Sequence, residues 1–146
     1  MGLFNSIKIS ASSLMAQRLR MDVIANNVAN VDSTRGEDGL AYRRQSVVFK
    51  EQTQGAGFSD LLGRASGRSA PGGVQVTDIH RDQSAPRKVH EPTHPDADAE
   101  GYIYLPNIDV VTEMTDLVSA SRAYQASSTV INATKAIAQS ALGIGR

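Results

Sequence analysis

Six side chains of the types that bind metal ions lie within eleven residues near the middle of the chain: His90, Glu91, His94, Asp96, Asp98 and Glu100. The alternating acidic residues before Gly101 match the start of an EF-hand calcium loop. The twelfth loop position, which needs a bidentate Glu, holds Asn107, and Pro92 and Pro95 prevent the helix of an HExxH zinc motif. A charged loop is therefore the favoured interpretation, and a metal-binding module at His90–Glu100 is a remote alternative.

The sequence offers no other motif for catalysis. It contains no cysteine, which excludes disulfides, thiolate metal sites and a cysteine nucleophile. No GxSxG, P-loop or GxGxxG motif stands between a predicted strand and a predicted helix. Serine, histidine and aspartate residues cannot be assigned to a triad from spacing alone. We therefore predict no catalytic residue, no metal ligand and no cofactor, and we expect a protein that is not an enzyme.

Charge and hydropathy exclude several classes of partner. Fifteen Lys and Arg balance fifteen Asp and Glu, so the chain lacks the cationic surplus that drives general nucleic-acid binding. The longest apolar run, Tyr102–Leu105, has four residues, whereas a spanning helix needs about 20. The N-terminal residues contain no apolar core of a secretory signal. We expect no nucleic-acid partner, no membrane span and no cleaved signal peptide.

The elements that must position any functional surface are two long helices. Residues 1–30 show apolar side chains at a 3.5-residue spacing, which is typical of a coiled-coil seam, and Asn30 is a plausible helix stop. Seven of the eight seam positions are apolar; the seam comprises Phe4, Ile7, Ala11, Leu14, Arg18, Met21, Ala25 and Val28.

The middle of the chain, residues 31–105, contains nine of the twelve glycines and four of the five prolines, with no sustained helical period. Short runs rich in β-branched residues at 41–50, 74–82 and 102–105 predict strands joined by polar loops. This part has too little apolar material to form a robust core by itself.

The second helix is predicted over residues 109–142, with Asn107 or Asp109 as N-cap, Glu113 and Asp116 near the positive end of the dipole, and Gly143 as the stop. Its seam comprises Val110, Met114, Leu117, Ser121, Tyr124, Ser128, Ile131, Lys135, Ala138 and Leu142. Further apolar positions lie on other sides: Val111, Val118, Ala123, Val130 and Ile137. Twelve of the 34 side chains are Ala or Ser, which permits close helix packing. Apolar or small positions thus occupy most of the circumference, and the pattern predicts that other copies or other proteins supply further helices.

Several stretches resemble the flagellar rod and hook axial proteins. The run Ala25–Thr34 resembles the N-terminal signature of that family. The stretches His94–Asp98, Glu113–Leu117 and Ala120–Ala126 resemble the proximal-rod members more narrowly.

This resemblance implies a mainly α fold with a small β insert. Its parts are an N-terminal helix and signature (1–34), a β-rich, loop-rich middle (35–105) and a C-terminal helix (106–146), with the two helices paired as an antiparallel coiled coil. Such pairs stack into a hollow, periplasm-spanning rod that transmits torque from motor to hook. The implied partners are further copies, other rod proteins, proteins at the rod base and the flagellar type III export apparatus. Export then needs no cleaved signal, and the terminal helices are expected to be poorly ordered before assembly. Another axial or junction protein of the flagellum is the main alternative.

The predicted assembly interface combines both helices: Phe4, Ile7, Leu14, Met21, Asn26, Asn27, Val28, Asn30, Val110, Met114, Leu117, Arg122, Tyr124, Val130, Ile131, Ile137 and Leu142. Two interpretations of the Asn26, Asn27 and Asn30 cluster stay open. The amides fix the register between subunits, as a buried Asn does in coiled coils, or they end the helix, and the two interpretations are compatible. Arg122 either bonds a neighbouring subunit or lies solvated along the helix.

Overall fold

A computed structural model describes residues 3–36, 39–52 and 72–144. Two long helices enclose a small antiparallel β region in the chain, which confirms the predicted mainly α fold with a β-rich middle. The elements in chain order are α1 (Leu3–Ala29), β1 (Gln45–Glu51), β2 (Val74–Arg81), β3 (Arg87–His90), β4 (Tyr102–Leu105) and α2 (Val110–Ile144). Neither described helix is long and apolar enough to cross a membrane.

Helix α1 ends at Ala29, directly before the predicted stop at Asn30. Asparagine tolerates the left-handed conformation that ends many helices, and the sequence predicts that Asn30 adopts it. Asn30 does not, because no described non-glycine residue has a positive φ. Instead, the Asn30 amide Nδ2 donates to the Asn26 carbonyl over 2.9 Å, and the Ser33 hydroxyl donates to Asn30 Oδ1 over 3.1 Å. The Asn26 carbonyl also accepts the Asn30 N–H over 3.2 Å, so these side-chain hydrogen bonds add to the backbone bonds at the end of the helix.

Helix α2 begins after Asp109, which is the N-cap of the two predicted candidates. Its carboxylate accepts the Val111 N–H over 3.1 Å and the Thr112 hydroxyl over 2.6 Å. The Thr112 hydroxyl and then the Val111 N–H hold the pKa of the Asp109 carboxyl below its usual value. At the other end the predicted stop at Gly143 is wrong, because the helix continues through Ile144.

The β region consists of two separate antiparallel hairpins. Strands β1 and β2 pair from Gln45 with Arg81 to Glu51 with Val74, with an irregularity between Val48 and Phe49. This hairpin packs against α1. Strands β3 and β4 form the second hairpin. Strand β3 escaped prediction because its four residues, Arg87–His90, are mostly charged and show no β-branched run.

The buried apolar side chains come from the helices, from β4 and from the segment between β4 and α2: Ala16, Val23, Ile24, Ile103, Leu105, Ile108 and Ala120. Three of these belong to α1 and one to α2, which is a small apolar core for helices of 27 and 35 residues. Many large apolar side chains of the helices, among them Phe4, Met15, Val111 and Leu142, are therefore exposed within the described chain.

Gly73 sets the close approach of β2 to α1. Its φ of 99° lies in the left-handed region, and a Cβ there would lie 2.4 Å from the Ser12 hydroxyl oxygen. That hydroxyl accepts the Val74 N–H over 3.1 Å and donates to the Ile9 carbonyl over 2.7 Å. Ser12 thus ties the start of β2 to the helix, and only glycine leaves room for this contact.

We expect Gly73→Ala to lower the free energy of unfolding by about 1–3 kcal/mol, because it combines backbone strain with a collision at Ser12. Gly39→Ala is the matched control, since Gly39 also has a positive φ but no atom within 4 Å of the added Cβ. Urea unfolding followed by circular dichroism measures both losses. An equal loss in the two variants would show that contact with Ser12 does not restrict position 73.

Candidate assembly interface

Helices α1 and α2 run in opposite directions and contact each other along their length. Three pairs of side chains define their alignment. The Asn27 amide donates to Glu113 over 3.0 Å, the Arg20 guanidinium to Asp116 over 3.5 Å, and the hydroxyls of Ser13 and Ser127 lie 3.0 Å apart. Residues whose numbers add up to about 140 therefore lie opposite each other, and Leu3–Ala29 runs beside residues 111–137.

The side of α2 that faces α1 carries small or polar side chains seven residues apart. We call this set the α1-facing row: Glu113, Ala120, Ser127 and Thr134. Three of its four members are buried, and Ser127 contacts Ser13. Small side chains let two helices approach closely, which explains how a row with almost no apolar bulk comes to lie inside.

Several buried positions of both helices lie one residue before the predicted seams, although Ala16 and Val23 of α1 do not follow this rule. In α2, Glu113 and Ala120 are buried where the predicted seam has Met114 and Ser121. In α1, Ser10 and Asn27 are buried where the seam has Ala11 and Val28. One residue corresponds to a rotation of about 100° around a helix. The helices thus bury a neighbouring face, and much of the apolar material that defined the seams remains on the outside or at the edge.

The predicted interface residues fall into three groups by exposure. The half-buried ones are Ile7, Leu14, Met21, Val28, Asn30, Val110, Leu117 and Ile131. The exposed ones are Phe4, Asn26, Met114, Arg122, Tyr124, Val130, Ile137 and Leu142. Asn27 has no exposed surface at all, so its side chain contacts only its own chain. Its place in the assembly interface stays a prediction.

Large exposed apolar side chains lie on both helices, and Leu40, Val48, Ile79 and Tyr104 add others in the middle of the chain. Phe4 is 88% exposed, Leu142 77% and Val111 73%. Val111, Met114, Val118 and Arg122 line an open groove of about 510 Å³, which we call the outer groove of α2. Contiguous apolar surface of this kind marks a contact site for another molecule. Val118 and Arg122 also line an adjoining groove with Leu117, so the surface continues along the helix.

A buried polar cluster joins both helices to β1. The Asn27 side chain uses all of its hydrogen-bonding capacity. Its Nδ2 donates to the Gln45 carbonyl over 2.8 Å and to Glu113 over 3.0 Å. Its Oδ1 accepts the Gln45 N–H over 2.9 Å and the Tyr42 hydroxyl over 3.0 Å. We call Asn27, Tyr42, Arg44, Gln45 and Glu113 the Asn27 cluster.

Glu113 is the one charged group buried in this cluster. It is 1% exposed, and Arg44 contacts its Oε1 through both Nε and Nη2 at 2.6 Å. Arg44 is only 31% exposed and also lies 3.9 Å from Asp116. A buried carboxylate needs such a partner, because desolvation alone would strongly disfavour its charged form.

Burial raises the pKa of the Tyr42 phenol, and the negative charge of Glu113 acts in the same direction, although Arg81 partly opposes them. The neutral hydroxyl is thus the form that suits the cluster, and it donates its hydrogen bond to Asn27.

The two interpretations of the asparagine cluster apply to different residues of it. Asn27 joins α1 to β1 and α2, which matches the register interpretation but within one chain. Asn26 and Asn30 bond to each other at the end of α1, which matches the helix-terminus interpretation. Sequence reasoning missed the partners of Asn27, placing Glu113 at the helix dipole. A Glu within a stripe of apolar and small residues was the available signal for a buried charge pair.

The acidic loop between β3 and β4 uses its carboxylates to hold the chain. Asp96 accepts the Thr34 hydroxyl over 2.7 Å and pairs with the Arg35 guanidinium over 2.9 Å. Asp98 accepts the Tyr102 N–H over 2.9 Å, and this bond is the main cause that lowers the pKa of its carboxyl. Within residues 3–36, 39–52 and 72–144, no three His, Asp or Glu side chains form a group suited to a metal ion.

We expect Glu113→Ala to lower the free energy of unfolding by about 2–4 kcal/mol, because it leaves Arg44 and the Asn27 amide without their acceptor. Asp116→Ala is the matched control one turn away. Its carboxylate is 36% exposed and its ion pairs are long, so we expect a loss below about 1 kcal/mol. Chemical unfolding measures both, and similar losses would contradict the assignment of Glu113 as the buried anchor.

The Tyr42 pKa predicts a specific alkaline effect. Because the folded pKa lies above the unfolded value of about 10, the neutral phenol stabilises the fold below pH 10, and this contribution is lost as pH rises through the higher folded pKa. The difference in free energy of unfolding between the original protein and the Tyr42→Phe variant should therefore decrease above pH 10. Unfolding curves of both proteins at pH 8 to 11 test this, and a constant difference would contradict it.

Two family models match the ends of the chain. The model described as flagella basal body rod protein matches residues 7–36, which contain most of α1. The model described as flagellar basal body rod FlgEFG protein C-terminal matches residues 99–144, which contain β4 and α2.

Relatives match almost the whole chain. The chain is 45% identical over 153 aligned residues to flagellar basal-body rod protein FlgC of Borreliella burgdorferi, covering 99% of this chain and 98% of the relative. It is 46% identical to the FlgC protein of Bacillus subtilis, with 98% of both chains covered. It is 41% identical to an Escherichia coli FlgC over the full length of both. These similarities confirm the resemblance inferred from the motifs, and the chain belongs to the FlgC family of flagellar basal-body rod proteins.

Proposed function

We propose that this protein is a structural subunit of the bacterial flagellar basal-body proximal rod and that it polymerises through its two terminal helices. The observation that carries the proposal is the exposed apolar surface of the helix pair, including Phe4, Val111, Val118 and Leu142. A subunit whose arms are covered by neighbouring subunits requires such a surface, whereas a solitary chain gains nothing from it.

The energetics favour assembly over isolation. Covering an exposed Val, Leu, Ile or Phe side chain contributes about 1.5–3 kcal/mol. Exposed apolar residues occur from Val111 near the start of α2 to Leu142 near its end. Neighbours packed along the whole helix would therefore gain stabilisation at many points, and this is the condition for a long, regular polymer.

In this proposal the helices pair as an antiparallel coiled coil. The seven-residue spacing of the α1-facing row supports a supercoiled contact, because a strict heptad keeps one face toward the partner helix. The outer residues of the predicted interface, among them Met114, Arg122, Val130 and Ile137, then face other subunits. Asn27 contributes indirectly by holding the two arms together.

Such pairs, stacked helically, form a hollow drive shaft that crosses the periplasm and transmits torque from the motor to the hook. The proposed partners are further copies, other rod proteins, proteins at the rod base and the type III export apparatus, which exports the chain without a cleaved signal. The role requires no cofactor and no catalytic step. Membership of the FlgC family supports it, since the relatives carry the name of a basal-body rod protein.

We expect Val118→Asp to prevent incorporation into basal bodies, because a carboxylate in the outer groove of α2 would be buried without a partner in the rod. The side chain is half exposed in the single chain, so the purified variant should keep its helix content and stability within about 0.5 kcal/mol. Val118→Leu is the matched control and should assemble normally.

Motility in soft agar and the protein content of isolated basal bodies measure the result. Normal incorporation of Val118→Asp in swimming cells would overturn the assignment of this surface. Rods that contain the protein at a position other than the proximal segment would favour the alternative of a different axial or junction protein.

A further inference from the structure

The two helices can pair in more than one register without loss of contact length. Helix α2 has 35 residues and α1 has 27, and in the observed alignment residues 138–144 extend past the start of α1. If α2 moved by one heptad, Leu3–Ala29 would lie beside residues 118–144 instead. The overlap would stay as long as before, with a shift of about 10 Å along the axis.

Packing of the α1-facing row does not distinguish the two registers. Its heptad positions continue from Ala120, Ser127 and Thr134 to Ala141, and all four are small. After the shift, Thr134 would lie opposite Ser13 and Ala120 opposite Asn27. Small side chains would thus meet α1 at both positions, whereas in the observed register Ser127 meets Ser13 and Glu113 meets Asn27. The exception in the row is Glu113, which the shifted register would remove from Asn27.

We infer that the Asn27 cluster selects the register of the two helices. In the observed alignment the Asn27 amide has four hydrogen bonds and Glu113 has Arg44. In the shifted alignment a wholly buried amide would face the methyl group of Ala120 and lose its acceptor on α2. An unsatisfied buried amide is costly, whereas small residues fit either register, so the polar pair decides between them.

Through the same cluster, β1 also contributes to selecting the register of α1 and α2. The Gln45 backbone both donates to and accepts from Asn27, and Arg44 in the preceding segment holds Glu113. The correct register is therefore the one in which all three segments meet. This inference concerns the single chain and goes beyond the proposed rod function. A subunit with shifted helices would carry its outer apolar residues about 10 Å from their proper place.

Disulfide trapping tests the inference directly, because the chain has no cysteine of its own. Ser13→Cys with Ser127→Cys reports the observed register, since the hydroxyls lie 3.0 Å apart. Ser13→Cys with Thr134→Cys reports the shifted register, which the observed alignment forbids over two helical turns. Intramolecular cross-links in the dilute purified chain are quantified on non-reducing gels. The observed-register pair should form at least about tenfold more product than the shifted pair.

The decisive variant adds Asn27→Ala and Glu113→Ala to each cysteine pair. Both substitutions replace a polar side chain of the cluster by a small one, and Glu113→Ala makes every member of the α1-facing row small. We expect the ratio of observed to shifted product to fall at least about tenfold. Arg20→Ala with Asp116→Ala is the matched control, and it should leave the ratio unchanged.

An unchanged ratio in the Asn27→Ala, Glu113→Ala variant would overturn the inference and assign the register to the buried segment around Ile108. A fallen ratio in the control would assign it to the Arg20 pair instead. Loss of both cross-links in the variant would also overturn the inference, because the cluster would then be needed for the helices to pair and not for the choice between two registers. Absence of both cross-links before the substitutions would overturn it too, because the purified chain would then not hold the helices in either register. None of these outcomes depends on rod assembly, so they are separable from failure of the proposed function.

Discussion

On the α2 side, the contact between the two terminal helices is made by small and polar side chains, and the other features of the molecule depend on this. Because Ala120, Ser127 and Thr134 take little space, α1 and α2 lie close together. The larger apolar side chains are consequently turned outward or to the edge, where Val111 and Leu142 are mostly exposed. Helix α2 therefore has small and polar side chains toward α1 and large apolar side chains on its outer side, which is the reverse of an ordinary amphipathic helix.

The β insert is attached to this helix pair at two points, and both depend on close backbone approach. At one end of α1, Asn27 bonds the Gln45 backbone, and nearer the other end Ser12 bonds the Val74 N–H beside Gly73. The first hairpin thus lies along α1 with both of its strands fixed. Since Arg44 also reaches Glu113 on α2, the cluster couples the arms to the insert.

The end of α1, the start of α2, the fold class and the family were predictable from the sequence because they depend on local signals, whereas the end of α2 was not, since the helix continues past Gly143. A 3.5-residue period, the Asp109 cap and the Ala25–Thr34 signature are each contained in a short stretch. The buried face was not predictable by the same reasoning. The apolar seams predict that Ala11, Val28 and Met114 face inward. The buried side chains are instead those of the preceding residues, Ser10, Asn27 and Glu113. The partners of Asn27 come from positions 18 and 86 residues away, and no local pattern encodes such long-range pairing.

Protection of the outer groove of α2 in the assembled rod tests the central claim most directly. A single Val118→Cys substitution gives the cysteine-free chain one reactive thiol in this groove. Its maleimide labelling is compared between the purified chain and isolated basal bodies, each normalised to labelling after denaturation. We expect rapid labelling of the purified chain and strong protection in basal bodies, because a neighbouring subunit covers the groove. Equally rapid labelling in both would contradict the claim that the exposed apolar face of the helix pair is the assembly surface.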